Sequence, residues 1–258
     1  MGNEVLKVQD LQKSFGGLKA IDALSFAVTE GQIKSIIGPN GAGKTTLFNL
    51  ITGIFPPTDG IFQFAGKTLN GLKPHDVARL GVSRTFQNLE VFPNVNVLEN
   101  VMLGCHTRTC AGFYQAGLRL PAMRREEKGI REKAMEEIRF MELEGKELVG
   151  AASLPLGEQK LLEIARALAT EPRLLLLDEP AAGLNIRETE KLSETIRRIR
   201  ERGITVMLVE HDMSLVMGIS DEVLVLNYGK KIAEGLPRDI QKNREVISAY
   251  LGEEDEDA

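Results

Sequence analysis

A glycine-rich stretch near residue 40 has the residue types and spacing that hold a phosphate group. It reads Gly38-Pro39-Asn40-Gly41-Ala42-Gly43-Lys44-Thr45-Thr46, directly after the apolar segment Ile33–Ile37. Glycines let the backbone approach an anion closely, and its N–H groups and the next helix N-terminus point at that anion. The Lys44 ammonium can neutralise β and γ oxygens of a nucleoside triphosphate, and the Thr45 hydroxyl can bind Mg²⁺. A glycine-rich turn with an accidental lysine is the alternative, and the flanking strand and helix patterns argue against it.

Two adjacent carboxylates follow a second apolar segment. Leu174–Leu177 is a continuous leucine run, which is typical of a strand buried on both faces, and Asp178 and Glu179 come directly after it. We expect Asp178 to hold Mg²⁺, directly or through water, and Glu179 to orient and polarise an attacking water molecule. An apolar strand that ends in Asp-Glu is weak evidence alone. Together with the phosphate loop it indicates transfer of a phosphoryl group to water.

The elements that must position these residues show alternating strand and helix patterns. The first part of the chain predicts strands at Val5–Val8, Leu24–Val28, Ile33–Ile37 and Ile61–Phe64, and a helix at Lys44–Ile51. From Arg173 onward, strands at Leu174–Leu177, Ile204–Val209 and Val223–Leu226 alternate with helices at Arg187–Glu201 and Met213–Ile219. Such alternation predicts a parallel sheet covered by helices. The middle of the chain, about 96–170, reads as mostly helical, with one helix at Glu158–Ala169.

The composition, with 43% hydrophobic and 27% charged residues, is that of a soluble globular enzyme, so any membrane role must be peripheral. The chain has 258 residues and no linker-like stretch, so we expect one domain. Its apolar runs are far shorter than the roughly 18 to 20 residues of a membrane-spanning helix, and its N-terminus lacks the apolar core of a secretion signal. These features predict a cytoplasmic, peripheral protein. Cys105 and Cys110, beside His106, are expected to be reduced thiols rather than a metal site.

The net charge of −5 belongs to one end of the chain. Glu253, Glu254, Asp255, Glu256 and Asp257 carry five negative charges, so the rest of the chain is close to neutral. Binding to nucleic acid depends on clustered Lys and Arg, and we therefore expect no nucleic-acid partner.

The motifs and their order resemble the ATP-binding cassette (ABC) proteins over Val5 to about Gly252. In that family an aromatic residue stacks on adenine at the position of Phe15, with a core phenylalanine as the alternative here. A glutamine at the position of Gln87 contacts Mg²⁺ and the attacking water. The segment Ala182-Gly183-Leu184-Asn185 resembles the D-loop, which meets a second subunit, so Leu184 and Asn185 are expected there. His211 matches the switch histidine that reaches the γ-phosphate.

The signature motif departs from the family pattern. The family usually has Leu-Ser-Gly-Gly-Gln, whereas this chain has Leu154-Pro155-Leu156-Gly157-Glu158. Pro155 supplies neither a hydroxyl nor an N–H group, so the serine contact to the γ-phosphate of a partner's ATP is absent. The resemblance still implies that Leu154, Gly157 and Glu158 close the partner's site. A hypothesis that follows is that the two ATP sites of the assembly are unequal.

The resemblance also implies a subclass, partners and a domain plan. The segments Ser83-Arg84-Thr85-Phe86-Gln87, Glu210-His211-Asp212-Met213 and Ile247–Gly252 are similar to the ATPase subunits of branched-chain amino-acid importers. Such subunits use ATP and Mg²⁺, pair with a second ATPase subunit, drive two membrane permease subunits, and serve a solute-binding protein from the cytoplasmic face. The plan is one P-loop NTPase domain with a RecA-like parallel core and an antiparallel β subdomain (1–87 and 171–252), a helical subdomain (88–170) and an acidic tail (253–258).

Two other classes of function use similar nucleotide motifs. A non-transport ABC ATPase of DNA repair or translation usually has two cassettes, a coiled-coil insertion or a basic surface, and this chain shows none of these patterns. The ATPase of another transporter subclass also stays open. A P-loop kinase would replace water with a hydroxyl substrate, but Glu179 next to Asp178 favours hydrolysis.

Overall fold

The computed structural model describes residues 3–85, 91–105 and 121–251, with the backbone alone for 121–126 and 251. The chain divides into two compact units. The first unit comprises Met1–Arg84 and Arg173–Ala258, and the second comprises Thr85–Pro172. Gln87, His106, Cys110 and the acidic tail 253–258 lie outside the described residues. The functional division into an ATPase core and a signature subdomain stays a prediction.

The ten strands of the described residues all belong to the first unit. In chain order they are β1 (Glu4–Phe15), β2 (Leu18–Thr29), β3 (Ile33–Ile37), β4 (Asp59–Phe64), β5 (Lys67–Thr68), β6 (Val82–Arg84), β7 (Leu174–Asp178), β8 (Thr205–Val209), β9 (Glu222–Asn227) and β10 (Lys230–Gly235).

The described residues form nine α-helices. Those of the first unit are α1 (Lys44–Ile51), α2 (Pro74–Arg79), α6 (Ile186–Glu201), α7 (Met213–Ile219), α8 (Pro237–Ile240) and α9 (Arg244–Leu251). Those of the second unit are α3 (Val97–Cys105), α4 (Pro121–Phe140) and α5 (Leu156–Leu168), with a 3₁₀ helix at Ala151–Ser153. No described helix combines the length and the apolar character that crossing a membrane requires.

The larger sheet is parallel except at one edge. Its strand order is β10-β9-β3-β8-β7-β6, and among these strands the β9–β10 pair is antiparallel. Every residue of β3, β7 and β8 is buried, which explains why these segments are continuous apolar runs in the sequence. The predicted α/β class with a parallel core is thus confirmed.

The carboxyl ends of three central strands lie side by side. Ile36 of β3 pairs with Val209 of β8, and Asp178 of β7 pairs with the same Val209. Because parallel strands end at one edge of the sheet, the segments after Ile37, Asp178 and Val209 emerge next to one another. The glycine-rich stretch, the two carboxylates and the segment of His211 therefore share this edge.

The smaller sheet is antiparallel, with the order β2-β1-β4-β5. Its strands β1 and β2 continue well beyond the predicted Val5–Val8 and Leu24–Val28. The extra residues are partly polar and exposed, but their backbone groups pair with the neighbouring strand, and this pairing outweighs the weak apolar pattern.

Helix α1 is embedded in the core of the first unit. Leu47, Phe48, Leu50 and Ile51 are fully buried and belong to the same cluster as residues of both sheets. Packing on nearly all sides fixes the start of α1, and hence the end of the glycine-rich stretch, relative to β3.

Several short elements were not predicted from the sequence. They are the strands β5, β6 and β10 and the helices α2, α3, α8 and α9. Most span only two to eight residues, too few for an apolar period to stand out, and β10 is a polar edge strand.

The second unit is built on three packed helices. Ala134 and Ile138 of α4 and the following Met141 are buried, as the helical spacing predicted. Helix α5 begins at Leu156, two residues before the predicted start, because Pro155 serves as its N-cap residue. A Cβ atom added to Gly104 of α3 would lie 2.2 Å from the carbonyl oxygen of Arg166 in α5, so these helices approach at backbone distance.

We predict that Gly104→Ala destabilises the second unit by about 1–3 kcal/mol, because the added methyl group must push α3 away from α5. Gly129→Ala in α4 is the matched control, since nothing lies within 4 Å of its added Cβ, and it should raise stability by up to about 1 kcal/mol. Thermal and urea unfolding of both variants measure the difference. Equal midpoints for the two variants would contradict the close helix contact.

Candidate active site

Two glycines of the Gly38–Gly43 segment lie where a larger residue cannot fit. Gly38 has φ 151°, and an added Cβ would lie 2.1 Å from the carbonyl oxygen of Leu226. Gly43 has φ 102°, and its added Cβ would lie 2.6 Å from the carbonyl oxygen of Ala20. The loop between β3 and α1 is therefore held against β9 and β2 at backbone contact, and its open side faces away from them. Gly41, also at positive φ, and Asn40 are exposed on this loop.

Lys44 folds back over the loop that precedes it. Its Nζ donates hydrogen bonds to the carbonyl oxygens of Gly38, at 2.6 Å, and Pro39, at 2.8 Å. The start of α1 has no side-chain cap and no acidic residue in its first turn. The positive end of the α1 dipole and the Lys44 ammonium thus lie at the same end of the loop, an arrangement that attracts a multiply charged anion. Thr45 is exposed in the first turn of α1, and Thr46 follows it.

Asp178 is buried at the end of β7 and forms an ion pair with Arg84. Arg84 Nη2 donates to Asp178 Oδ2 at 2.6 Å, and Arg84 Nη1 donates to Asn49 Oδ1 of α1 at 2.7 Å. The two charged side chains are 6% and 1% exposed. Arg84 therefore joins the predicted metal-binding carboxylate to the helix that follows the loop. Arg84 belongs to a motif of the sequence but had no predicted role, because nothing in the sequence shows that β6 lies next to β7.

Glu179 and His211 lie in contact at the same edge of the sheet. His211 Nε2 lies 3.1 Å from Glu179 Oε1, and both side chains retain solvent access. Glu179 has φ 48°, a left-handed conformation that is unusual for a non-glycine residue, and its N–H group donates to the carbonyl oxygen of Val209 at 2.9 Å. The main chain therefore turns sharply after Asp178 and directs Glu179 toward His211.

Glu210 is a buried carboxylate that sequence analysis did not select. It is 4% exposed and accepts hydrogen bonds from the backbone N–H groups of Ala181, His211 and Asp212. Burial raises the pKa of the Glu210 carboxyl group above its ordinary value, although these three N–H groups act in the opposite direction. The sequence feature that could have indicated Glu210 is its position as a charged residue directly after the apolar strand β8.

Phe15, the predicted adenine contact, lies at the end of β1 with 43% of its surface exposed. Its ring packs edge-on against Phe55, with centroids 5.3 Å apart, and Lys13 Nζ lies 4.8 Å from the ring centroid. This exposure leaves part of the aromatic surface open for stacking. The adenine role itself stays a prediction.

The signature residues lie at the start of α5 in the second unit. Leu154 is buried, and its carbonyl oxygen accepts a hydrogen bond from Gln159 Nε2. Gly157 and Glu158 occupy the first turn of α5, and Glu158 pairs with Lys146. No side chain caps this helix at Pro155. The backbone N–H group of Gly157 thus lies in the positively polarised first turn, and its contact with a partner's nucleotide stays a prediction.

The predicted D-loop residues adjoin α6. Asn185 caps this helix: its Oδ1 accepts from the N–H group of Glu188, and a Glu188 carboxylate oxygen accepts from the N–H group of Asn185. Leu184 and Ile186 line a groove of about 530 Å³ whose walls include Asp212. The reciprocal cap was not predicted, although the Asn-x-x-Glu spacing is its sequence signal.

Two further predicted residues, Gln87 and Cys105, lie in or beside segments outside the described residues. Gln87 lies outside the described residues, so its contact with Mg²⁺ and water stays a prediction. Cys105 is a buried thiol, and burial raises its pKa; its reduced state stays a prediction. No cluster of three or more His, Cys, Asp or Glu side chains able to hold a metal occurs within 3–85, 91–105 and 127–250.

These features define the class of protein. A glycine loop between a central parallel strand and a helix, with a carboxylate at the end of a nearby strand, is the arrangement of P-loop nucleoside triphosphatases. Comparison with known families then identifies the family. A model described as "ABC transporter" matches residues 21–182, and one described as "Branched-chain amino acid ATP-binding cassette transporter" matches residues 230–256. The chain belongs to the ABC transporter family and is one of its ATPases.

Individual relatives agree with this assignment. The chain is 44% identical, over 98% of its length and 100% of the relative, to the high-affinity branched-chain amino acid transport ATP-binding protein BraF of Pseudomonas aeruginosa. The solved ATP-binding cassette MJ1267 of an ABC transporter is 31% identical, with a TM-score of 0.85 over 96% of this chain and 99% of that one. The cassette MJ0796, solved as a dimer with ADP and Pi, is 26% identical, with a TM-score of 0.76 over 90% and 99%.

We predict that Arg84→Ala lowers the free energy of unfolding by about 3–5 kcal/mol, because the buried Asp178 carboxylate loses this ion pair. Arg79→Ala is the matched control: Arg79 forms an exposed pair with Asp76 at 3.7 Å, and its loss should change stability by less than about 1 kcal/mol. Urea denaturation of the two variants provides the measurement. Similar midpoints would show that the Arg84–Asp178 pair contributes no more than a surface contact.

Proposed function

We propose that this chain is the ATP-hydrolysing subunit of an importer, and that the edge of the sheet after β3, β7 and β8 is its hydrolytic site. The observation that supports this most strongly is the in-register pairing of Ile36 and Asp178 with Val209. It brings a phosphate-binding loop, a buried carboxylate and a Glu–His pair to one edge. Hydrolysis requires phosphate binding, charge neutralisation and water activation. This edge of the sheet carries a residue for each of the three.

The phosphates are bound by the backbone of the Gly38–Gly43 loop. The loop lies too close to Leu226 and Ala20 for side chains at Gly38 and Gly43. The remaining backbone N–H groups of the loop are proposed to face the ligand. In this proposal the Lys44 ammonium exchanges its bonds with the Gly38 and Pro39 carbonyl oxygens for bonds with β and γ oxygens. Phe15 supplies an aromatic surface for adenine. The same aromatic surface would also stack on other bases. ATP is therefore proposed because the chain belongs to the ABC transporter family, and not because Phe15 recognises adenine.

The donor set fits Mg²⁺ bound together with a nucleotide. Mg²⁺ is commonly held by one or two carboxylates together with substrate phosphates, and it prefers hard oxygen ligands. Thr45 would contribute its hydroxyl oxygen and Asp178 its carboxylate, directly or through water, with Gln87 as a further predicted oxygen donor. When bound, Mg²⁺ neutralises charge on the β and γ oxygens. Arg84 holds the Asp178 carboxylate through the bond from its Nη2 to Asp178 Oδ2.

Water activation is assigned to Glu179 and His211. The Glu179 carboxylate accepts a proton from the attacking water or orients it, and His211 holds this carboxylate at 3.1 Å and contacts the γ-phosphate. The strained backbone of Glu179 restricts the positions that its side chain can reach.

A second ATPase subunit completes the site in this proposal. Its first turn of α5, with the Gly157 N–H group and the positive helix end, faces the γ-phosphate, while Leu154 and Glu158 shape that segment. Leu184 and Asn185 meet the partner beside α6. In this chain Pro155 replaces the serine of the family pattern. An ATP site closed by this chain therefore differs from one closed by a partner that has the serine. This difference is the basis for the hypothesis of unequal sites.

Coupling to transport requires membrane partners. We infer that two permease subunits receive the movement near Gln87 and the second unit, that the chain acts at the cytoplasmic face of the membrane, and that a solute-binding protein delivers the solute. Branched-chain amino acids are the proposed solutes, because BraF is named for their transport and is 44% identical to this chain. The near-neutral charge of the chain apart from its tail gives no support to a nucleic-acid partner.

Two substitutions separate ATP binding from hydrolysis. Glu179→Gln should leave ATP affinity within about threefold and lower kcat by about 10²–10⁴-fold, because the general base is lost. Lys44→Ala should instead weaken ATP binding, because the phosphates lose their cation. Binding of labelled ATP and phosphate release are measured in the complex that co-purifies with the full-length chain. Lys67→Ala and Glu201→Gln, both exposed positions, should behave like the parent.

The outcome that contradicts the proposed site is parental turnover in both Lys44→Ala and Glu179→Gln. The same complex also tests the hypothesis of unequal sites. Where the partner ATPase is a different chain, Glu179→Gln is compared with the matching change in that partner, and equal losses of turnover exclude inequality.

The solute assignment has its own test. We predict that ATP turnover of the complex, reconstituted in vesicles with its binding protein, rises when leucine, isoleucine or valine is added. Lysine and glutamate serve as controls that differ in charge. A flat response to the three apolar amino acids would remove the solute assignment and leave the ATPase assignment intact.

A further inference from the structure

We propose that Glu210 is a positioning residue for hydrolysis: its buried carboxylate ties the segment that follows Glu179 to the segment that carries His211. This inference rests on the function proposed above. It adds a residue whose hydrogen bonds, among the described residues, go to backbone N–H groups and not to a predicted site side chain. In this proposal it acts through the backbone on the two groups that handle the attacking water.

The carboxylate lies between the ends of two neighbouring strands. Glu210 Oε1 accepts from the N–H group of Ala181 at 2.7 Å, three residues beyond the end of β7. Glu210 Oε2 accepts from the N–H group of His211 at 3.0 Å and from that of Asp212 at 3.4 Å, just beyond the end of β8. One side chain therefore holds both post-strand segments from within, where water has little access to replace it.

Each of the two segments carries one member of the Glu179–His211 pair. On the first, the N–H group of Ala182 donates to the carbonyl oxygen of Glu179 at 3.1 Å, so the chain from Glu179 to Ala182 forms a tight turn. On the second, Asp212 Oδ1 accepts from the N–H group of Leu215 and caps α7. Glu210 joins the turn to the cap. Its length consequently constrains the separation of the Glu179 and His211 backbones, together with the bond from the Glu179 N–H group to the Val209 carbonyl oxygen. Across that separation the two side chains meet at 3.1 Å.

The three N–H groups that converge on Glu210 require both of its terminal atoms to be hydrogen-bond acceptors. An ionised carboxylate has two oxygens and no hydrogen, so it can accept from both segments at once. A glutamine of the same length has one oxygen and one NH₂ group, and in either orientation the NH₂ group faces a backbone donor. Keeping a charge at such a buried position is costly, which is consistent with a raised pKa and with a role other than filling space.

Glu210→Gln tests the proposal with little change of shape. We expect kcat in the co-purified complex to fall at least about tenfold, because small displacements of catalytic groups slow a reaction strongly. The affinity for labelled ATP should stay within about twofold. Val5→Ala serves as the control for general destabilisation, because it removes buried apolar atoms from β1 and leaves the Glu210 contacts alone. A similar loss of kcat in Val5→Ala at the same drop in unfolding temperature would overturn the proposal.

A double-mutant cycle separates positioning from structural support. If Glu210 acts through His211, Glu210→Gln should lower the rate of single-turnover hydrolysis by less than about twofold once His211→Ala is present. Equal losses in both backgrounds, or parental rates in Glu210→Gln alone, would refute the role. A parent complex that shows no ATP turnover would instead refute the proposed function. Assay of the parent complex thus separates failure of the proposed function from failure of the Glu210 role.

NMR spectroscopy of His211 tests the proposal when the variants hydrolyse ATP too slowly for their rates to be compared. The ¹H–¹⁵N imidazole signals of His211 are assigned by their loss in His211→Ala. They should shift in Glu210→Gln and stay at parental positions in Val5→Ala. Glu210→Asp is the second variant if Glu210→Gln fails to fold: it keeps the charge, draws it back by one methylene group, and should shift the same signals. Unchanged His211 signals in the folded variant would exclude the positioning role.

Discussion

The site depends on the pairing of three parallel strands at their carboxyl ends. Val209 of β8 pairs with Ile36 of β3 on one side and with Asp178 of β7 on the other. A shift of one residue in either pairing would move Asp178 by about 3.3 Å along the strand and turn its side chain to the other face of the sheet. The full burial of β3, β7 and β8 opposes such a shift, because each of these strands has packed neighbours on both faces.

Close backbone contact is the second condition for the site. The Gly38–Gly43 loop is fixed against carbonyl oxygens of Leu226 and Ala20, which belong to strands of the two different sheets. Alpha-helix α1 follows this loop directly and lies in the main core. A loop that is anchored at its first and last glycine can present N–H groups to an anion without large rearrangement. Preorganisation of this kind is a main source of electrostatic stabilisation.

Buried charges connect these anchored segments to one another. Arg84 bridges α1 and β7 through Asn49 and Asp178, and Glu210 bridges the segments after β7 and β8. Burying a charge is unfavourable unless hydrogen bonds and opposite charges compensate, so such bridges tolerate little displacement. The chain thus uses apolar packing to place the strands and buried polar contacts to place the residues at their ends.

The sequence by itself determined the local chemistry and the fold class. The spacing of Gly38, Gly43 and Lys44 requires only neighbours along the chain, and the leucine run before Asp178 shows a buried strand, so both could be recognised directly. Only the tertiary structure decided which distant residues meet, since Arg84 reaches Asp178 and Glu210 reaches Ala181 through strand order and register. Short-range patterns carry no information on that order, because pairing of strands is a property of the whole sheet.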